Sequence, residues 1–148
     1  MAKLDVKKIL EIQPLCFIFG FVIALILLGY TYFVEPYQLV KKELTLAVPN
    51  WSRELNGFKI VAISDIHGGS HTITEERIQS IVEQVNLQNP DIVVILGDFV
   101  SEVESGGYSR DTVLKMPIET IAENLKGLKA KYGIFSVIGN HDWWYDEK

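Results

Sequence analysis

The sequence has a single cysteine, Cys16, so no internal disulfide can form and the redox compartment stays open. Cys16 falls inside an apolar run, where a small thiol faces lipid like its apolar neighbours. Basic charge is also scarce. The net charge is −5, which argues against a nucleic-acid binder, since those carry a basic patch. No block of like charge forms a tail, and there are no repeats or low-complexity stretches. A small-x-small cleavage signal is missing after the apolar run, where Gly29-Tyr30-Thr31 is a poor substitute. What is present is a 148-residue chain that is 48% hydrophobic, sized for one domain or part of a larger one.

The hydrophobic residues are unevenly spread. From Leu15 to Val34 no residue is charged. A helix of about 20 such residues spans about 30 Å, the depth of a bilayer's hydrocarbon core. Tyr30, Tyr32 and Phe33 crowd one end, as in an interfacial aromatic belt, and Glu35-Pro36 ends the run. A cleaved signal peptide would fit the basic start at Lys3, Lys7 and Lys8, but the cleavage site is poor. A buried core helix would be shorter and striped. The favoured reading is an uncleaved, single-pass membrane anchor over residues 1–34. Lys3, Lys7 and Lys8 before the span outweigh Lys41 and Lys42 after it by a narrow margin. The positive-inside rule therefore favours a cytoplasmic N-terminus with residues 35–148 outside the cytoplasm, over the alternative of a domain held on the inner membrane face.

The second region reads as α/β. Gln38 to Val48 alternates in part and is expected to form an edge strand, with Lys42 interrupting its apolar side. Lys59–Ser64, Asp91–Leu96 and Ile134–Ile138 are short, β-branched apolar runs, expected to be buried strands. Between the first two, Ile78, Ile81, Val82 and Val85 recur at helical spacing over Thr74–Leu87. Between the second two, 101–115 reads as a loop and Pro117 opens a helix. That helix's buried stripe is Ile118, Ile121, Ala122, Leu125 and Leu128, and Gly133 caps it. Strand, helix, strand, helix, strand implies parallel pairing. Asn50-Trp51-Ser52 matches a glycosylation sequon, a triplet that also occurs by chance.

Each of the three runs passes straight into polar residues unsuited to a core. They are Asp65-Ile66-His67-Gly68-Gly69, then Gly97-Asp98, then Gly139-Asn140-His141-Asp142. Ligands of open α/β sheets gather outside the carboxyl ends of strands, and parallel strands bring these three ends to one rim. Taken singly, each acid or amide reads as a turn or cap residue, and each histidine as a surface residue. Taken together, carboxylate, imidazole and amide oxygen suit divalent transition metals better than calcium. Asp65 and His67 are two apart, so on a continuing strand both could face one way. His71 has no motif around it and reads as a loop residue. Trp143, Trp144 and Tyr145 read as cover for the core or rim rather than as a stacking platform for substrate.

D-x-H-x-G, G-D and G-N-H-D, in this order after apolar strands, resemble the signature of the calcineurin-like metallophosphoesterases. Glu35-Pro36 and the Trp143-Trp144 pair are similar to that family's bacterial membrane-associated branch. The resemblance covers Glu35 to the end. It implies an α/β sandwich, of which residues 35–148 would be the N-terminal half, and two divalent ions (Mn, Zn or Fe). It implies that Asp65 and His67 bind the first ion, that Asp98 bridges both, and that Asn140 binds the second. His141 would contact the phosphate and help protonate the leaving oxygen, and Asp142 would orient His141. The substrate would be a phosphate ester, lipid-linked or from the cell envelope. Members of that branch act as phosphodiesterases or hydrolyse UDP-diacylglucosamine.

The sequence departs from the family in two places. Ser101 stands where many relatives carry an acid or amide three residues after the G-D aspartate. The family's later histidine and G-H-x-H motif do not occur before Lys148. The expectation is a domain whose second half is missing, with an apolar sheet face or edge left uncovered and weak metal binding by the chain alone. The competing readings are an inactive membrane protein and a protein phosphatase; an anchor fits an envelope substrate better.

Overall fold

The computed structural model describes residues 6–101 and 113–145, with side chains from residue 13 onward. Most of the expected loop 101–115 therefore lies outside the described residues. The chain divides into two units after Lys42.

The first unit is one long helix, α1 (Val6–Phe33), followed by a 3-10 turn at Glu35–Tyr37. The segment Gln13–Tyr37 is long and apolar enough to cross a membrane, and none of its most apolar stretch is buried. Pro36 sits in the 3-10 turn that follows α1, where a missing N–H does no harm. Gln38 Nε2 donates to the Tyr30 hydroxyl (2.8 Å) across this corner.

The expected edge strand over Gln38–Val48 is not formed. These residues carry no strand pairing among the described residues, and Val40, Leu44 and Leu46 are exposed. Alternation supplies a face but not a partner, and without a ladder an extended segment is not a strand.

The second unit is built on a three-stranded parallel sheet in the order β1 (Ile60–Ile63), β2 (Ile92–Ile95), β3 (Ile134–Ser136). Ile60 pairs with Ile92, and Val93 with Ile134. Between the strands run α2 (Glu75–Leu87) and α3 (Ile118–Leu125), which pack on each other. Thr74 caps α2, its hydroxyl accepting from Arg77 N. Ile78, Val82 and Val85 of α2 and Ile121 of α3 are buried with Val93 and Ile95 of β2. Away from the core, Asn124 joins the helices through Gln79 and Glu75, and the Asn86 side chain holds the turn at Gly127 and Lys129.

Three expectations need correction. The strands are not buried on both faces. Alternate residues of β2 point into the core, but Ile60, Leu96 and Phe135 are each more than half exposed (57%, 53% and 56%). Apolar composition showed that both faces could be covered, not that both are. The stripe of α3 is narrower than expected, with Ile121 and Leu128 buried and Ile118 and Ala122 exposed. Gly133 is not the cap of α3, which ends at Leu125 with Lys126 in the capping position. Gly133 instead turns the chain into β3 at a φ of 118°, a conformation that favours glycine.

Candidate metal centre

All three motifs lie at the carboxyl ends of the parallel strands. β1 stops at Ile63, and the chain then takes left-handed conformations at Asp65 (φ 54°) and His67 (φ 44°), with Ile66 buried between them. Asp65 and His67 therefore do not sit on a continuing strand, as their spacing suggested. Two left-handed residues bring them together, and His67 Nε2 is 3.9 Å from Asp65 Oδ1. Asp98 follows Gly97 and is also left-handed, at φ 55°. Such backbone costs about 1–3 kcal/mol per residue and persists only where surrounding bonds hold it.

Those bonds are visible. The loop of the first motif runs beside that of the second: Asp65 N donates to Gly97 O, His67 N to Asp98 O and Gly68 N to Phe99 O. The second and third motifs are joined through Asp142. Its Oδ2 accepts from Asp98 N (2.8 Å) and Gly139 N (2.8 Å), and its Oδ1 from Phe99 N (2.8 Å) and Val100 N (3.3 Å). In return, Asp98 Oδ1 accepts from His141 N at 3.0 Å. Glycine is required at the crossing point. A Cβ on Gly97 would lie 2.3 Å from Gly139 N, and one on Gly139 would lie 2.2 Å from Asp98 Oδ1.

Ligand-capable atoms of Asp65, His67 and Asp98 all lie within 4.8 Å of one another. Two ligands bound across one ion stand about 4 Å apart, so this group is close to a coordinating arrangement. The tautomer of His67 is fixed by its partner. Nδ1 lies 2.9 Å from Val100 O, and a carbonyl can only accept, so Nδ1 carries the proton and the Nε2 lone pair is free for a cation. Ser64 Oγ donates to Asp65 Oδ2, which leaves Oδ1 on the side of His67. The donor set therefore fits a divalent metal.

The His141 ring stands edge-on to the His67 ring, 4.8 Å between centroids, and 5.2 Å from the Trp144 ring. Asn140 opens a short helix, α4 (Asn140–Tyr145), with an exposed side chain between two residues bonded into the cluster. Trp143 is exposed, Trp144 lies against His141, and Tyr145 packs on the core. His71 is an exposed loop residue. The bonds that Asp142 makes among the described residues all run to backbone N–H groups. Sequence reading missed this, and it missed Ser64 and the Val100 carbonyl. The one available signal was the pair Gly97 and Gly139, whose lack of Cβ permits close backbone approach.

The sequence model of the calcineurin-like phosphoesterase family matches residues 58–148. A zebrafish protein named transmembrane protein with metallophosphoesterase domain is 34% identical over 110 residues, covering 74% of this chain and 22% of that protein. A metallophosphoesterase of Campylobacter jejuni is 32% identical over 104 residues, covering 70% of this chain and 24% of that one. UDP-2,3-diacylglucosamine pyrophosphatase LpxG of Chlamydia trachomatis is 30% identical over 110 residues, covering 74% of this chain and 30% of the enzyme. The chain thus spans a third or less of the length of these relatives. No solved structure matches it significantly. The family match reaches from just before β1 to the last residue and takes in all three motifs, so the chain belongs to the calcineurin-like phosphoesterases.

Proposed function

We propose that these residues serve a membrane-anchored hydrolase that cleaves a phosphodiester or pyrophosphate bond at a centre of two divalent ions, manganese, zinc or iron. The observation that carries this reading is the convergence of Asp65, His67 and Asp98 beside the His141 ring. Asp65 and His67 would hold one ion, Asp98 would serve both, and Asn140 would supply an amide oxygen to the other. Bound divalent ions polarise phosphoryl oxygens and lower the pKa of water so that it can attack phosphorus. The protein's own part is to place its donors and keep them in register. The Val100 carbonyl holds the His67 ring. His141, whose ring lies beside that of His67, would contact the phosphate and give a proton to the leaving oxygen.

The substrate we favour is a lipid-linked pyrophosphate. Support comes from the span-length α1 and from the name of the LpxG relatives, which specifies a diacylated sugar nucleotide. The test is hydrolysis of bis-p-nitrophenyl phosphate with added Mn²⁺ by this chain continued with the remaining residues of a curated relative. Metal-dependent turnover that falls sharply in His141→Ala is expected. Absence of turnover in the extended protein would overturn the reading. We further propose that α1 is a single-pass anchor with the catalytic unit outside the cytoplasm. After carbonate washing the protein should stay in the membrane pellet; full release into the supernatant would refute the anchor.

A further inference from the structure

We infer that Asp142 is a positioning residue for Asp98, acting through the backbone of the Gly97-Asp98 loop rather than on the His141 ring. The inference deepens the proposed metal centre and rests on Asp98 being a ligand there. Four N–H groups from two separate loops point at one carboxylate: Asp98, Phe99 and Val100 after β2, and Gly139 before α4. A carboxylate accepting several N–H bonds is held firmly, because bonds to a charged acceptor are about twice as strong as neutral ones. The hold is reciprocal. Asp98 Oδ1 accepts the His141 N–H at the start of α4, the helix that carries Asp142. The two aspartates close a ring of bonds, the Asp142 carboxylate on the backbone N–H of Asp98 and the Asp98 carboxylate on that of His141, the residue before Asp142.

The geometry explains three features at once. Asp98 stays left-handed at φ 55° because its N–H is bound by Asp142 and its C=O by His67 N. Gly97 and Gly139 have no room for a Cβ, because the two loops touch there. The carbonyls of Asp98, Phe99 and Val100 reach His67 N, Gly68 N and His67 Nδ1, so the strap that Asp142 holds by its N–H groups also orients the first motif. Removing Asp142 should thus disturb Asp98 and His67 together, while an aspartate that merely aimed His141 could be lost without cost to the metal.

The experiment is amide hydrogen exchange by NMR on the full chain in detergent micelles, with Mn²⁺ titration followed by electron paramagnetic resonance. The decisive amide is that of His141, which bonds to Asp98 and not to Asp142. In Asp142→Ala its exchange should speed up by about tenfold or more, as for a lost bond to a charged group, while the core amide of Val93 keeps its protection. Asp142→Asn keeps one acceptor oxygen but turns an N–H toward other N–H groups, so an intermediate rate is expected. Gly139→Ala, which leaves Asp142 intact but drives a Cβ into Asp98, should reproduce the effect. Mn²⁺ affinity should fall by roughly 10–100-fold in Asp142→Ala, as when a partner behind a ligand is lost. Wild-type protection of the His141 amide in both Asp142 variants would overturn the inference. Undiminished Mn²⁺ binding in Asp98→Ala would instead overturn the metal-site reading and leave the exchange result to decide the clasp alone.

Discussion

The two ends of the sheet are held by different means. At the amino end the bonds serve docking. Asp91 Oδ2 accepts from Lys59 N (2.8 Å), Lys59 Nζ reaches Gln88 O (2.6 Å), and the Phe58 and Tyr132 rings stack at 5.8 Å. The turns into the strands include one left-handed non-glycine residue, Asn89 (φ 48°), and otherwise use Gly57 and Gly133 at positive φ. At the carboxyl end three non-glycine residues are left-handed, backbone bonds join the first loop to the second, and carboxylates join the second to the third. One end spends less strain and fixes where the strands lie. The other stores strain and fixes where a few oxygen and nitrogen atoms point. Substitutions at the two ends should therefore separate stability from chemistry.

The sharpest test of that division is Asp98→Ala. It should weaken Mn²⁺ binding by more than the roughly 10–100-fold expected for a residue that acts behind a ligand. In the extended protein it should also remove nearly all turnover. Isothermal titration and the phosphodiester assay read the two effects, and normal metal content would reject Asp98 as the bridging residue. A smaller, opposite result is expected at the amino end. Asp91→Ala removes the half-buried carboxylate that accepts from Lys59 N, so unfolding should become easier by about 1 kcal/mol with metal affinity unchanged. Urea denaturation beside a Mn²⁺ titration checks this, and a joint loss would show that the ends are coupled.

The smallest effect belongs to the start of α2. The Thr74 hydroxyl, and secondarily its own backbone N–H, hold the Glu76 carboxyl below its usual range. A depressed carboxylate pKa contributes stability that is present above the unfolded value and lost as pH falls through the folded one. Glu76→Gln should melt slightly lower than wild type at neutral pH, and the gap should close in acid. A gap that widens toward low pH would contradict this assignment.

Much of the sheet was legible because apolar runs of four to six residues, separated by a helical period, admit few arrangements. Ile60–Ile63, Ile92–Ile95 and Ile134–Ser136 fall inside the expected runs, and α2 begins one residue after the start of the expected helix. The strand over Gln38–Val48 failed because alternation does not specify a partner. The motif residues were legible as a set because three polar strand ends on one rim are hard to explain otherwise. Their bonding was not. Left-handed backbone at Asp65, His67 and Asp98, and the use of Asp142 as an acceptor for four N–H groups, depend on where distant loops meet. No periodicity records that.

Parallel pairing has a further consequence for how this site tolerates change. The ladder Ile60–Ile92 and Val93–Ile134 sets the height of each strand end, whatever length of chain connects the strands. Each doubling of a flexible connection costs only about 0.6 kcal/mol in closure entropy. Insertions in the crossovers should therefore leave the rim in place, whereas a one-residue insertion inside β2, or between Ile95 and Asp98, would shift one motif residue against the others. The order of the motifs and their distance from the strand ends are fixed by the sheet. The number of residues between one motif and the next is not.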